Sequence, residues 1–142
     1  MNDLLIYLVD DDEDDRLLLR QAFQQHTTPC RIDEFTDGVG IIDRLTQTTT
    51  GAYPNLILLD LNMPRMDGFA TLKVIKENNA WQTIPVVVLT TSDDMRDRQR
   101  TARLGADDYL VKPPSYSQLR LIIDRGVAIA RQDADTNNAS QC

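Results

Sequence analysis

Five residues of this chain could do chemistry together: Asp10, Asp11, Asp60, Thr90 and Lys112. Three carboxylates, a hydroxyl and an ammonium are scattered along the sequence, yet each follows or ends an apolar run. Asp10 and Asp11 follow Leu4 to Val9, and Asp60 follows Leu56-Ile57-Leu58-Leu59. Thr90 follows Pro85 to Leu89, and Lys112 follows Asp108 to Val111. A short apolar run bounded by turn residues reads as a buried strand. After Asp60, Pro64 and Gly68 stop the strand and open a loop. In an open parallel sheet, ligands bind where strands end. Parallel strands end at one edge, so these side chains should converge there.

Three close carboxylates repel. Uncompensated, at least one pKa rises and the group titrates as a coupled set. A hard divalent cation relieves this. Mg²⁺ takes oxygen ligands at about 2.0–2.1 Å and keeps several waters. Two carboxylates plus a backbone carbonyl leave room for waters and a phosphate oxygen, and Lys112 adds a further positive charge. Such a set suits phosphoryl transfer, where positioning and charge neutralisation dominate. A carboxylate can itself be the nucleophile, giving an aspartyl phosphate.

The elements that must position these groups read in order. Leu4 to Val9 is a first strand. The acidic run after it divides: Asp12 to Asp15 are explained by initiation of a helix carrying Leu18, Leu19, Ala22 and Phe23, whereas Asp10 and Asp11 are not. Cys30 to Phe35 is a weakly patterned edge strand. Asp37-Gly38 starts a second helix with Val39, Ile41, Ile42 and Leu45, followed by a polar loop from Thr46 to Tyr53. Asp67-Gly68 starts a third helix with Phe69, Leu72 and Ile75, ended by Asn78 and Asn79; Trp81 in the next loop is expected to be partly buried. Pro85 to Leu89 is a β-branched strand. Asp93 and Asp94 start a fourth helix, whose Arg96, Arg98, Arg100 and Arg103 read as a solvated face. Ser115 to Gln118 fits a capping box for the last helix, with Leu119, Ile122, Ile123, Val127 and Ala130 as its core stripe and Leu121 on the exposed side. Residues from Asp133 to Cys142 read as a polar tail. Five strand–helix alternations predict an α/β fold: a parallel five-stranded sheet with helices on both faces.

A length of 142 residues suits one domain, and 42% apolar content supports a core. The net charge of -7 argues against nucleic acid, which needs a basic face. Cys30 and Cys142 form no CxxC pair, so neither a disulfide framework nor a zinc site is expected and a reducing cytoplasm is the default. His26, the single histidine, is assigned no role. The N-terminus lacks signal-peptide regions, and no apolar run approaches the ~18 residues of a bilayer span, so no membrane contact is expected.

The sequence resembles the receiver domain of two-component response regulators. The motifs that carry the resemblance are Leu8-Val9-Asp10-Asp11, Leu59 to Pro64 with Met66-Asp67-Gly68, Val88-Leu89-Thr90, and Tyr109-Leu110-Val111-Lys112-Pro113. It extends over about residues 4 to 131, giving a receiver domain at 1–132 and a tail at 133–142. The resemblance implies the doubly wound, flavodoxin-like (βα)5 fold with strand order 2-1-3-4-5; the chemotaxis receiver is a known example of it. It implies that Asp60 accepts a phosphoryl group from a sensor histidine kinase or phosphotransfer protein. Asp11, Asp60 and the Asn62 carbonyl would bind Mg²⁺, or Mn²⁺ in its place, with Asp10 acting through a metal-bound water. Lys112 would pair with Asp60 at rest and with the phosphoryl oxygens afterwards. Thr90 would hydrogen-bond a phosphoryl oxygen, and Tyr109 would turn inward, changing the face built by the fourth helix, fifth strand and fifth helix. The Lys112-Pro113 bond is expected to be cis. The chain would be a switch, catalysing only its own phosphorylation and autodephosphorylation. Its output would pass to an unidentified partner protein, a phosphorelay or a homodimer. The acidic run and Leu89-Thr90-Thr91-Ser92 resemble single-domain receivers found beside bacterial phytochrome-type kinases.

Two other readings stay open. A phosphorylation-independent docking module would use the same fold without the chemistry. A haloacid-dehalogenase-like phosphatase would use Asp10 and Asp12 as its Asp-x-Asp. It leaves Asp60 unexplained, and only Asp124, Asp133 and Asp135 follow the lysine as acids.

Overall fold

Strand β1, Leu4–Val9, opens the chain and becomes an interior strand of the sheet. The computed structural model describes residues 4–25, 29–49 and 51–125. His26, Val127, Ala130 and the segment from Asp133 to Cys142 lie outside the described residues. The other strands are β2 (Cys30–Phe35), β3 (Leu56–Leu59), β4 (Val86–Thr90) and β5 (Asp108–Val111). Between them run α1 (Glu13–Gln24), α2 (Gly38–Gln47), α3 (Gly68–Glu77) and α4 (Met95–Arg103), and α5 spans 116–125. All pairings are parallel and the order is β2-β1-β3-β4-β5, as expected. The edge position of β2 explains its weak apolar pattern.

Side chains alternate across the strands. Leu4, Ile6, Leu8, Leu56, Leu58, Val87 and Leu89 pack with Leu19, Phe23, Leu119, Ile122 and Ile123 on the face covered by α1 and α5. Tyr7, Val9, Ile57, Leu59 and Val86 pack with Ile41, Leu45, Leu72 and Ile75 on the face covered by α2 and α3. Burial on both faces is why β3 and β4 read as unbroken apolar runs. Each fully buried side chain of this kind contributes about 1.5–3 kcal/mol.

Carboxylates start the helices. Asp12, Asp37, Asp67 and Asp94 each accept backbone N–H bonds as N-caps of α1 to α4. The capping box of α5 is also present: Gln118 Oε1 accepts from the Ser115 amide at 2.9 Å, and Ser115 Oγ accepts from the Gln118 amide at 3.1 Å.

Four local expectations need correction. Leu18 does not join Leu19 and Phe23 in the core; it is 62% exposed. It lines instead an open cleft between α1 and α5. Helix α2 runs on through Thr46 and Gln47, the first residues read as loop, with Thr46 Oγ1 bonding back to the Ile42 carbonyl. Trp81 is buried rather than partly exposed, because the turns after α3 fold it back onto the α2–α3 cluster. The α4 arginines are not simply solvated. Arg98 stacks over Tyr109 at 4.6 Å and Arg100 over Phe69 at 4.0 Å. Helix α4 buries only Thr101, so these cation–π contacts take the place of an apolar stripe.

Candidate functional site

The backbone fixes the site before any side chain is considered. The Asp10 amide bonds the Phe35 carbonyl at 2.9 Å, and the Asp60 amide bonds the Val9 carbonyl at 2.9 Å. The Lys112 amide bonds the Thr90 carbonyl at 2.8 Å. The ladder therefore continues one residue past the strands and sets Asp10, Asp60 and Lys112 at one sheet edge.

Asp10, Asp11 and Asp60 meet there, each offering a carboxylate oxygen within 4.8 Å of the others. Asp10 and Asp60 are buried and Asp11 is exposed. Lys112 Nζ donates to Asp10 Oδ2 at 2.5 Å, Asp15 Oδ2 at 2.9 Å and Asp60 Oδ2 at 3.3 Å. The lysine contacts Asp60, as expected, but its shortest bond is to Asp10. Burial raises the Asp10 pKa, although its bonds to Lys112 and the Asp12 amide oppose that. Burial alone would lower the Lys112 pKa; its carboxylate partners more than offset this and hold it above the ordinary value, so the lysine stays charged. Arg16 supports the cluster from behind, donating to the Asp10 carbonyl at 2.7 Å and to Glu34 Oε1 at 3.1 Å.

Thr90 is fully buried, and its hydroxyl oxygen lies 3.4 Å from the Ser92 amide. Tyr109 donates its hydroxyl to the Ser92 carbonyl at 2.8 Å, and burial raises its pKa. Ser92 Oγ bonds Asp97 Oδ2 on α4 at 2.6 Å, so Thr90, Tyr109 and α4 meet at one residue. The Lys112-Pro113 bond is cis. Asn62 is exposed and lines a shallow groove with Asp11, Met63, Pro64 and Phe69. Its amide points at Asp60 Oδ1 across 3.4 Å.

Two features of the site were missed in the sequence. Asp15, assigned only to helix initiation, reaches Lys112. It lies one turn before the buried Leu19, and that spacing could have placed it on the inner face. The second is the pair formed by Asp37 and Arg65. Arg65 holds a left-handed backbone, φ 63°, in the loop after β3. Its Nε and Nη2 reach Asp37 Oδ2 at 2.8 and 2.5 Å. Asp37 thus caps α2 through the Gly40 amide at 3.0 Å and ties down the loop that carries Asn62. Burial alone would raise the Asp37 pKa, but the Gly40 amide and Arg65 more than offset it and keep it below 3.8. A lowered folded pKa stabilises fully above the unfolded value, and that contribution is lost as pH falls through the folded one. Asp37→Ala is therefore expected to cost about 1–2 kcal/mol at neutral pH. The gap to wild type should shrink in urea titrations at lower pH, below 3.8.

The donor set fits a hard divalent cation: three clustered carboxylates of which two are buried, with the Asn62 segment beside Asp11. The haloacid-dehalogenase arrangement is not supported, because Asp12 turns away to cap α1, accepting from the Asp14 and Asp15 amides.

The profile of the response regulator receiver domain matches residues 6–124, most of the chain. The chain belongs to that family. This receiver is 31% identical to the DNA-binding transcriptional regulator NtrC of Proteus hauseri over 94% of its own length, but it spans only 27% of NtrC. Among solved structures it is similar to the Mn²⁺-bound form of the response regulator Rcp1. The identity is 33% and the TM-score 0.76, over 84% of this receiver and 91% of Rcp1. It is equally similar to the phosphorylated cyanobacterial phytochrome response regulator RcpA, at 34% identity and TM-score 0.76 over 86% and 89% of the two chains. Receiver domains take phosphoryl groups from histidine kinases and generally act as signalling switches. Among the described residues, no helix of the receiver is long and apolar enough to cross a membrane.

Proposed function

We propose that this receiver is a cation-dependent phospho-aspartate switch with Asp60 as the phosphoryl acceptor. The observation that carries the reading is the setting of Asp60: a buried carboxylate at a strand end, 3.3 Å from Lys112 Nζ and within 4.8 Å of two further carboxylates. An Asp60 oxygen attacks the phosphorus of a kinase phosphohistidine. A P–O bond forms, the P–N bond breaks, and the imidazole nitrogen keeps the electron pair. Lys112 and the Thr90 hydroxyl bind phosphoryl oxygens. Asp11, Asp60 and the Asn62 carbonyl would hold Mg²⁺ or Mn²⁺, with Asp10 acting through a bound water; the cation would neutralise charge on the transferring group. The solved Mn²⁺-bound Rcp1 is a relative that supports the cation.

Phosphorylation then shifts a two-state equilibrium. Thr90, Ser92 and Tyr109 already form one chain of contacts that ends on α4, which supports the α4–β5–α5 surface as the face that changes. Residues 1–132 make up the switch, in the cytoplasm, with a sensor histidine kinase or phosphotransfer protein upstream and a protein partner or second copy downstream.

Intact-mass measurement with acetyl phosphate and Mg²⁺ tests the reading. Wild type should gain one phosphoryl group and Asp60→Asn none. Equal labelling of both removes Asp60 from its role, and labelling of neither leaves a docking module.

A further inference from the structure

We infer that Asp15 is a positioning residue for Lys112, biasing the ammonium toward β1 and α1 in the resting protein, so that its contact to Asp60 is the longest of three. The inference rests on the reading of Asp60 as phosphoryl acceptor. An ammonium has three donors. Three carboxylates receive them here, and the contact to Asp60, at 3.3 Å, is the longest. Asp10 and Asp15 together draw the lysine toward β1 and α1.

The two competitors differ in kind. Asp10 belongs to the cluster that suits a cation, whereas Asp15 does not. A cation would therefore compete with Lys112 for Asp10 and Asp60 and leave Asp15 as its undisturbed partner. Asp15 thus sets how readily the lysine crosses to a phosphoryl group on Asp60.

Helix initiation does not account for this acid. Asp12 caps α1, and Glu13 and Asp14 already supply negative charge to the first turn. Asp15 instead turns inward, at the mouth of a cleft of about 420 Å³ between α1 and α5 lined by Leu18, Leu19, Tyr116 and Leu119. Its side chain keeps 34% exposure. A half-open pair of this kind is weak enough to be exchanged.

The test is the rate of Asp60 phosphorylation by acetyl phosphate at saturating Mg²⁺. In that step the P–O bond to the acetyl oxygen breaks, a P–O bond to Asp60 forms, and acetate leaves with the electron pair. Asp15→Asn should be about two- to fivefold faster than wild type, the range expected for a partly exposed ion pair. Asp15→Glu should return toward the wild-type rate. Asp14→Asn, which removes a neighbouring exposed charge, should not accelerate. A second measurement avoids phosphorylation: the NMR shift of the Lys112 side chain in Mg²⁺-free protein should move in Asp15→Asn and stay in Asp14→Asn. Equal rates for Asp15→Asn and wild type, equal acceleration by Asp14→Asn, or an unmoved Lys112 signal overturns the inference. If wild type is never labelled, the reading of Asp60 fails instead, and the NMR comparison alone decides whether Asp15 holds the lysine.

Discussion

Lys112→Met is expected to lower stability by about 3 kcal/mol in metal-free buffer at neutral pH, the low end for breaking a buried ion pair. Among the described residues its ammonium is the cation within hydrogen-bond reach of both Asp10 and Asp60, and all three side chains are at least nine-tenths buried. Methionine keeps the bulk of the side chain but leaves both carboxylates without that positive charge. Part of the loss should be recoverable in two ways. The Asp10 pKa already lies above 3.8, so the folded state binds more protons than the unfolded state just above that value. Stability attributable to this group therefore rises as pH falls toward 3.8, and removing the lysine should steepen the rise. Millimolar Mg²⁺ should also restore stability, since a ligand at about a hundred times its Kd contributes about 2.7 kcal/mol. Urea unfolding with and without Mg²⁺, at two pH values, reads all of this. A variant as stable as wild type in metal-free buffer would mean that water, not Lys112, neutralises the cluster.

Gly68→Ala is the second large effect, and it concerns backbone. A Cβ at Gly68 would overlap the Asp60 carbonyl oxygen and lie 2.7 Å from Leu61 Cα. Main chain cannot yield as a flexible side chain can. Helix α3 would have to withdraw, stretching the 3.0 Å bond from the Gly68 amide to the Leu61 carbonyl. A loss of about 3 kcal/mol is expected, near the top of the usual range for overpacking. Labelling of Asp60 should slow as well, because the displaced group is its own carbonyl. Gly40→Ala is the control. Its Cβ would meet Phe35 at an ordinary 3.6 Å inside helix α2, so it should stabilise by up to about 1 kcal/mol. Equal melting temperatures for the two variants would show that α3 does not need its close approach to the Asp60–Leu61 backbone.

These residues also show where sequence reading succeeds. Asp10, Asp60, Thr90 and Lys112 were legible because each sits at the end of an apolar run, and parallel strands bring such ends together. Asp37, Asp67 and Ser115 were legible because capping is local and its residues are few. Asp15 was misread for the same reason: a local explanation, the helix dipole, was sufficient and hid a partner 97 positions away. The bond between Asp37 and Arg65 spans 28 positions and depends on a left-handed residue that no glycine announces. Arg98 and Arg100 look solvated in sequence because stacking on Tyr109 and Phe69 leaves no periodic trace. Leu18 looks buried because helical spacing marks a stripe and not its width.

The single tryptophan, buried among α2 and α3 side chains, precedes β4, whereas Thr90 ends it. It therefore lies at the opposite end of the sheet from the acidic cluster. That placement gives the molecule an internal optical gauge of folding, distant in the sheet from the carboxylates. Indole emission is expected to follow loss of the core that buries Trp81.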